Sequence, residues 1–295
     1  MGIEEKIYRF ADENNIVAGI CDTGALRYEN AEKAVDIPFS KYNLDQRITP
    51  VLLMPSAKSI IVIGAGYNKK LDFEPDNEKR GVISVHALGV DYHKIIRKIL
   101  ENLRDYLHKF TDFDSKIYID TGPLMERELA VKAGLGSRCR NMNIVNPTLG
   151  SFFNIGYMLT TLLLEPSKAQ EEDHCEDCNV CIRACPSGAL TDTGFDYRKC
   201  VSYLTQKKGG LTAAEKKSIG ANLYGCDVCQ RVCKHNINTY IGSITKINAA
   251  RPRLNDILTL DGNGFADKYS ETAMSWIGLK TLQRNARIAI ENIGD

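Results

Sequence analysis

Four cysteines stand within eleven residues of the stretch "HCEDCNVCIRACPSGAL" (174–190): Cys175, Cys178, Cys181 and Cys185, with a proline directly after the last. A second group, "CDVCQRVC", supplies Cys226, Cys229 and Cys233, and Cys200 lies between the two. Eight of the ten cysteines thus fall in the last two-fifths of a 295-residue chain. Thiols grouped this densely either pair as disulfides or bind metal, and the redox compartment decides between them. The N-terminus, "MGIEEKIYRF", carries no hydrophobic run of the kind an export signal uses. The expectation is a cytoplasmic chain whose thiols are reduced and metal-bound.

Spacing then selects the metal. Cys175 to Pro186 reads C-x2-C-x2-C-x3-C-P, the run of bacterial-type ferredoxins, in which three thiolates hold one cubane cluster and the fourth serves its neighbour. The second group is the same run with its first cysteine missing, and Cys200 stands in for it. All eight thiols are used when Cys175, Cys178, Cys181 and Cys233 hold one 4Fe-4S cluster and Cys185, Cys200, Cys226 and Cys229 hold the other. Two structural zinc sites would also consume eight thiolates, but such sites rarely carry a third cysteine at this spacing followed by Cys-Pro. Cys21 and Cys139 stand outside the pattern and read as small buried or half-buried side chains.

A two-cluster module needs some seventy residues, so the 170 residues before it must give the electrons a destination. Apolar content of 43% is enough for two cores, and a formal charge of +1 over the whole chain argues for neither a nucleic-acid binder nor an acidic tail, so any such signal must be local. "EEKIYRFADENNI" and "DYHKIIRKILENLRDYLHKF" have helical periodicity, whereas "IVAGIC", "SIIVIGAGY" and "KIYID" read as strands. "TGPLMERELAVKAGLG" reads as a helix with a proline-marked start that ends on glycines. The longest apolar run, "FFNIGYMLTTLLL" (152–164), is too short for a membrane span, which takes about 20 residues, and reads as a buried strand. Strands and helices mix without strict alternation, so the class is α/β or α+β. The break between domains is expected near "EPSKAQEED" (165–173), giving a first domain over 1–168, a cluster domain over 169–240 and a helical segment over 241–295. No dinucleotide fingerprint or phosphate loop is present, "GAGYNK" (64–69) reads as a turn after a strand, and the five histidines form no metal-binding pair.

In order along the chain, "QRITPVLLMPSAKSIIVIGAGY", "YIDTGPLMERELAVKAGLG", "GSFFNIGYMLTTLLL", the cysteine run, "CVSYLTQKKGG", "YGCDVCQRVC" and "GLKTLQRNARIAIEN" resemble the cobalamin-dependent epoxyqueuosine reductases, relatives of the reductive dehalogenases. The resemblance covers most of the chain and does not rest on the cysteines alone. It implies a nitroreductase-like cobalamin domain joined to a two-cluster ferredoxin-like domain. It also implies a reaction in which the clusters pass single electrons to a base-off cobalamin, and the epoxide on a modified tRNA wobble base loses its oxygen to give queuosine and water. An alkoxide leaves poorly unless protonated as it forms, so an acid is needed within hydrogen-bond reach. Asp120, at the end of "KIYID", matches the family's proton donor; its other reading is a cap on the helix that follows. Arg47, Ile144, Ser202, Lys207 and Asp227 fall where the family lines its cobalamin pocket; the other reading of Arg47 is a solvated surface charge.

The chain also departs from the family pattern. Cys139-Arg140-Asn141, preceded by Arg138, replaces a usual Gly-Lys-Asn; His86-Ala87-Leu88-Gly89 replaces Tyr-Ala-Arg-Gly; and Cys233-Lys234 replaces Cys-Pro. A paralogue acting on another substrate therefore stands as an alternative, as does a non-catalytic electron-transfer protein. From Asp196 to Lys234 eight Lys and Arg face three Asp and Glu, an excess of five that would attract tRNA phosphates, offset the negative charge of the cluster thiolates, or dock an acidic electron donor such as flavodoxin or ferredoxin. The implied partners are the anticodon stem-loop of a tRNA and that donor, with no membrane, for a monomeric protein.

Overall fold

The run "SIIVIGAG" is apolar at nearly every position, which suits a strand covered on both faces. In the computed structural model it is such a strand: Ile60, Ile61, Val62 and Ile63 expose none of their surface. The structure describes residues 2–27, 39, 41–68, 71–72, 76–169, 174–239, 245–246 and 250–294. The elements run α1 (Ile3–Glu13), β1 (Val17–Asp22), α2 (Leu44–Ile48), β2 (Ser59–Gly66), β3 (Leu71–Asp72), β4 (Val82–Ile83), α3 (Tyr92–Leu107), β5 (Ser115–Ile119), α4 (Glu126–Lys132), β6 (Ser137–Arg138), β7 (Ile144–Val145) and β8 (Phe153–Thr160). They continue through α5 (Val180–Ala184), β9 (Leu190–Thr191), β10 (Gly194–Phe195), α6 (Val201–Gln206), α7 (Ala213–Ile219), β11 (Asn222–Tyr224), α8 (Val228–Arg231), β12 (Thr245–Lys246), α9 (Leu254–Leu258), α10 (Gly262–Tyr269) and α11 (Gly278–Ile293). The chain forms two compact units, residues 1–66 with 93–176 and residues 67–92 with 177–295.

The first unit is built on an antiparallel sheet of order β1-β2-β8-β5. Ile96, Leu100, Leu103 and Leu107 recur at helical spacing along α3 and are buried, and they give that helix the stripe it lays on the sheet. Phe10 of α1 meets Tyr106 of α3 with ring centroids 5.7 Å apart, so both helices cover one face. The turn after α4 covers the other: a Cβ on Gly19 would lie 2.0 Å from the Ala133 carbonyl oxygen. Only glycine permits that approach of strand to turn.

In the second unit β4 pairs in parallel with β11, and α11 fills the core behind them with Leu282, Ala286 and Ala289, all at 0% exposure. Asn285 is buried there with both amide hydrogens used, one on the Thr205 carbonyl and one on that of Leu223, each at 2.8 Å. One α11 side chain thereby satisfies carbonyls from α6 and β11, as a buried amide must. Among the described residues no helix is long and apolar enough to cross a membrane.

Helix α3 approaches β8 at Gly156, where an added Cβ would meet Ile96 Cγ2 at 2.3 Å. Gly156→Ala is expected to lower stability by about 1–3 kcal/mol through overpacking, read by chemical denaturation. Adding Ile96→Ala should make the combined loss smaller than the sum of the two single losses, because both changes act on the same contact.

Candidate functional site

Strand β5 ends at Ile119, and the chain reverses at once. Asp120 has φ +49°, and the Thr121 N–H donates to the Ile119 carbonyl at 2.5 Å, so Asp120 is the apex of a three-residue γ-turn. A non-glycine residue held at positive φ costs about 1–3 kcal/mol and persists only where its surroundings impose it. The surroundings here are two side chains. The carboxyl of Glu126 accepts the Asp120 N–H, and His93 on α3 brings Nε2 to 3.3 Å from Asp120 Oδ2. The Asp120 side chain stays 55% exposed.

Helix α4 starts at Glu126 with Met125 at its N-cap, three residues beyond the proline expected to mark the start, and no side chain caps it. Asp120 is therefore not the cap of that helix. Pro123, Leu124 and Met125 are buried and bridge turn to helix, with the Leu124 N–H donated to the Tyr157 hydroxyl at 3.4 Å. The Met125 N–H donates to the carbonyl of Arg47 at 3.0 Å, which draws the end of α2 to the start of α4. Burial pushes the Glu126 carboxyl up to about 8; the Asp120 charge adds to the rise, while the Asp120 N–H, His93 and Arg127 work against it. Glu126 is thus mostly protonated at neutral pH and accepts the N–H as a neutral acid.

Of the other positions on the first unit, Ile144 is buried in the β6–β7 hairpin opposite Arg138, whose guanidinium pairs with Glu128. The turn between those strands carries Arg140, whose backbone N–H donates to Cys175 Sγ at 3.4 Å and whose guanidinium donates to the Glu176 carbonyl at 2.8 Å. Cys21 and Cys139 are buried, as their isolation in sequence suggested.

The second unit gathers the other seven thiols of the motif. Burial drives Cys229 up to about 12, and Cys226, Cys200, Cys181 and Cys185 drive it further the same way, so these four sulfurs lie within electrostatic reach of Cys229. Cys226 is likewise pushed up to about 12, by burial first and then by Cys200, Asp227 and Cys185. Thiolates so placed repel unless a cation neutralises them, which suits iron. Burial also raises Cys185, but the N–H groups of Leu190, Ser187 and Ala189 and the Ser187 hydroxyl outweigh it and hold the thiol below its ordinary range. Such an N–H cradle fits a cluster thiolate. All ten cysteines are free thiols. Among the described residues no three Cys, His, Asp or Glu side chains are arranged to hold a single ion. A cubane asks for a different arrangement, since each of its thiolates binds its own iron.

The remaining positions of this unit are tied into its structure. One Asp227 oxygen accepts the Val85 N–H at 2.9 Å and the other accepts the Ser84 hydroxyl, whose oxygen is 2.7 Å from His86 Nδ1. The cysteine loop thereby anchors the segment 84–86. Ser202 Oγ accepts from the Gln206 amide, and Lys207 pairs with Glu215 at 2.8 Å. Lys208 donates to the carbonyls of Trp276 and Ile277 and lies over the Trp276 ring. Two lysines of the basic segment are thus engaged within the unit. Glu126, His93 and Ser84 were not singled out from the sequence: an acid in the first turn of a helix is common, and no spacing announces that this one folds back on Asp120.

Residues 47–121 match the family described as epoxyqueuosine reductase QueG, DUF1730, and residues 174–236 match the 4Fe-4S double cluster binding domain. The epoxyqueuosine reductase of Bacillus cereus is 38% identical over 261 residues, 85% of this chain and 68% of that protein. The epoxyqueuosine reductase structure from Streptococcus thermophilus superimposes with a TM-score of 0.92 at 33% identity, covering 100% of this chain and 82% of the other. A second epoxyqueuosine reductase, crystallised with an epoxyqueuosine-modified tRNA-Tyr stem loop, gives 0.91 at 31% over 98% and 81%. That of Bacillus subtilis, with its catalytic aspartate loop swung out of the active site, gives 0.89 at 30% over 98% and 81%. A catabolic reductive dehalogenase shares the fold, with a TM-score of 0.53 at 15% identity over 96% of this chain and 37% of the other.

The raised carboxyl of Glu126 has a thermodynamic consequence. Between its ordinary value of 4.5 and about 8 the folded state holds a proton that the unfolded state has released, so the stability due to this group falls as pH rises through that window. Glu126→Gln removes the titration. Melting temperatures of the wild type should fall relative to those of the Gln variant between about pH 5 and pH 8, and parallel curves would contradict the assignment.

Proposed function

The chain belongs to the epoxyqueuosine reductase family, and from that premise we propose that it reduces the epoxide of epoxyqueuosine to the alkene of queuosine at the wobble position of a tRNA. The observation that carries this reading is the Asp120 turn, an exposed carboxyl held at a strained apex beside His93. Removing the epoxide oxygen breaks two C–O bonds and consumes two electrons and two protons, with water as the second product. When bound, two 4Fe-4S clusters and a base-off cobalamin supply the electrons.

The residues supply position and protons. Asp120 delivers a proton to the oxygen as the first C–O bond opens, so that no free alkoxide has to form. His93 orients the Asp120 carboxyl through the 3.3 Å contact. The cluster ligands are Cys175, Cys178, Cys181 and Cys233 for one cluster and Cys185, Cys200, Cys226 and Cys229 for the other. The donors around Cys185 and the Arg140 N–H on Cys175 support thiolate character at two of these positions. For the cobalamin the residues carried over are Arg47, Ile144, Ser202, Lys207 and Asp227, and Asp227 contributes through the 84–86 segment that it anchors. In this reading the Asp120 turn corresponds to the catalytic loop that stands swung out of the active site in the Bacillus subtilis relative. The partner is the anticodon stem-loop of a tRNA, and a flavodoxin or ferredoxin delivers the electrons.

Anaerobically purified protein is expected to be brown, to contain about eight irons per chain and to bind added cobalamin without a nitrogen ligand to cobalt(II) in its electron paramagnetic resonance spectrum. Colourless protein carrying two zincs would refute the cluster assignment. In single-turnover assays on an epoxyqueuosine-containing stem loop, Asp120→Asn should slow reduction by about two to four orders of magnitude while iron content, cobalamin binding and RNA affinity hold. Near-normal turnover by this variant would mean that water or another group supplies the proton.

A further inference from the structure

A strained apex needs an anchor. The γ-turn uses the carbonyl of Ile119 and the N–H of Thr121, which leaves the N–H of Asp120 itself to be satisfied from outside the turn. That hydrogen goes to Oε1 of Glu126, six residues on. Glu126 is a fixed point. It is the first residue of α4, whose Leu129 and Ala130 are fully buried, and the residue before it is tied by its N–H to the Arg47 carbonyl. The intervening Leu124 is held by the Tyr157 hydroxyl from β8. The Glu126 carboxyl therefore closes a seven-residue loop, 120–126, whose far end cannot follow a movement of the near end.

We propose that Glu126 is the positioning residue of this site: its carboxyl oxygen latches the Asp120 N–H and so holds the γ-turn in the form that presents the Asp120 carboxyl. The proposal deepens the reductase reading and rests on it for the role of Asp120. With the latch absent, the apex N–H loses the acceptor on Glu126 that holds it, and the chain gains by relaxing φ toward the ordinary negative region. The carboxyl then leaves its place beside His93. Such a displacement by about 1 Å is enough to slow a positioned proton transfer by up to about a hundredfold. The charged and titratable groups that face Glu126 are Asp120, His93, Arg127 and the Tyr157 hydroxyl. Because burial keeps Glu126 largely protonated, a glutamine is a close copy of its resting state, with the same acceptor oxygen and no charge.

The test compares Glu126→Gln, Glu126→Ala and Glu126→Met in the cofactor-loaded enzyme. Methionine keeps the buried stem without an acceptor and serves if the alanine variant fails to fold. Amide hydrogen exchange at Asp120 and Thr121 reads the latch independently of activity: the Gln variant should exchange within about threefold of wild type, and the Ala or Met variant at least about tenfold faster. In single-turnover reduction of the stem loop, Gln should stay within about threefold of wild type. Ala or Met should lose about ten- to a hundredfold in rate, with the stem-loop concentration for half-maximal rate little changed. Wild-type exchange in the Ala or Met variant would overturn the proposal. So would a Gln variant as slow as Ala with its amides still protected, because that pattern belongs to a carboxyl acting as an acid. Expected exchange in a protein that reduces no epoxyqueuosine would sustain the latch and refute the reductase reading instead.

Discussion

The geometry of the candidate site depends on where α4 begins. Had the helix started at the proline, Asp120 would sit within reach of its first free N–H groups, and capping would have taken the carboxyl out of circulation. The start at Glu126 instead leaves a buried bridge of Pro123, Leu124 and Met125 between strand and helix. This bridge turns the first helical side chain back toward the strand end. The position is held by packing on the sheet, through Leu129 and Ala130 and through the approach of the Ala133 carbonyl to Gly19. A carboxyl that would ordinarily face solvent at a helix start is thereby drawn out of solvent and given a backbone hydrogen to accept.

The arrangement places two carboxyl groups in unlike settings. Asp120 is exposed and faces an imidazole; Glu126 is packed away and keeps its proton. Environment rather than residue type separates them, as in other sites where paired acids divide two roles. The buried member costs stability at neutral pH, and the strained apex adds a cost of its own. Both costs fall in the first unit, whose four-stranded sheet is covered on both faces.

In the second unit the constraint is electrostatic. Four sulfurs lie within electrostatic reach of Cys229, and Cys229 and Cys226 are so buried that ionisation without a counter-charge is strongly disfavoured. Around Cys185 the backbone supplies donors that stabilise the thiolate, and Asp227, beside Cys226, ties the cysteine loop to Ser84 and Val85. Asn285 and Arg284 of α11 take up carbonyls at the ends of α6 and the loop after it. Lys207 and Lys208, which by charge alone point outward to phosphate, belong to this internal scaffold through Glu215 and the carbonyls of Trp276 and Ile277.

What the residues by themselves determined is whatever depends on local spacing. The x2 and x3 intervals of the cysteines mark an iron-sulfur module because a loop of that length can wrap the corners of a cubane. The period of Ile96, Leu100, Leu103 and Leu107 marks α3, and the unbroken apolar run of β2 marks a strand buried on both faces. Asp120 was identifiable through the resemblance carried by its neighbours and the strand end before it. Tertiary structure alone decided the rest. Residues 67–92 lie between two elements of the first unit, yet they join the second, because Gly81 leaves room for Leu223 and β4 pairs with β11 across a chain separation no local pattern encodes. Glu126 is likewise silent in sequence. An acid six residues after Asp120 acquires its meaning only when the backbone turns at positive φ and packing brings the helix start back, since a hydrogen bond depends on distance in space and not on position along the chain.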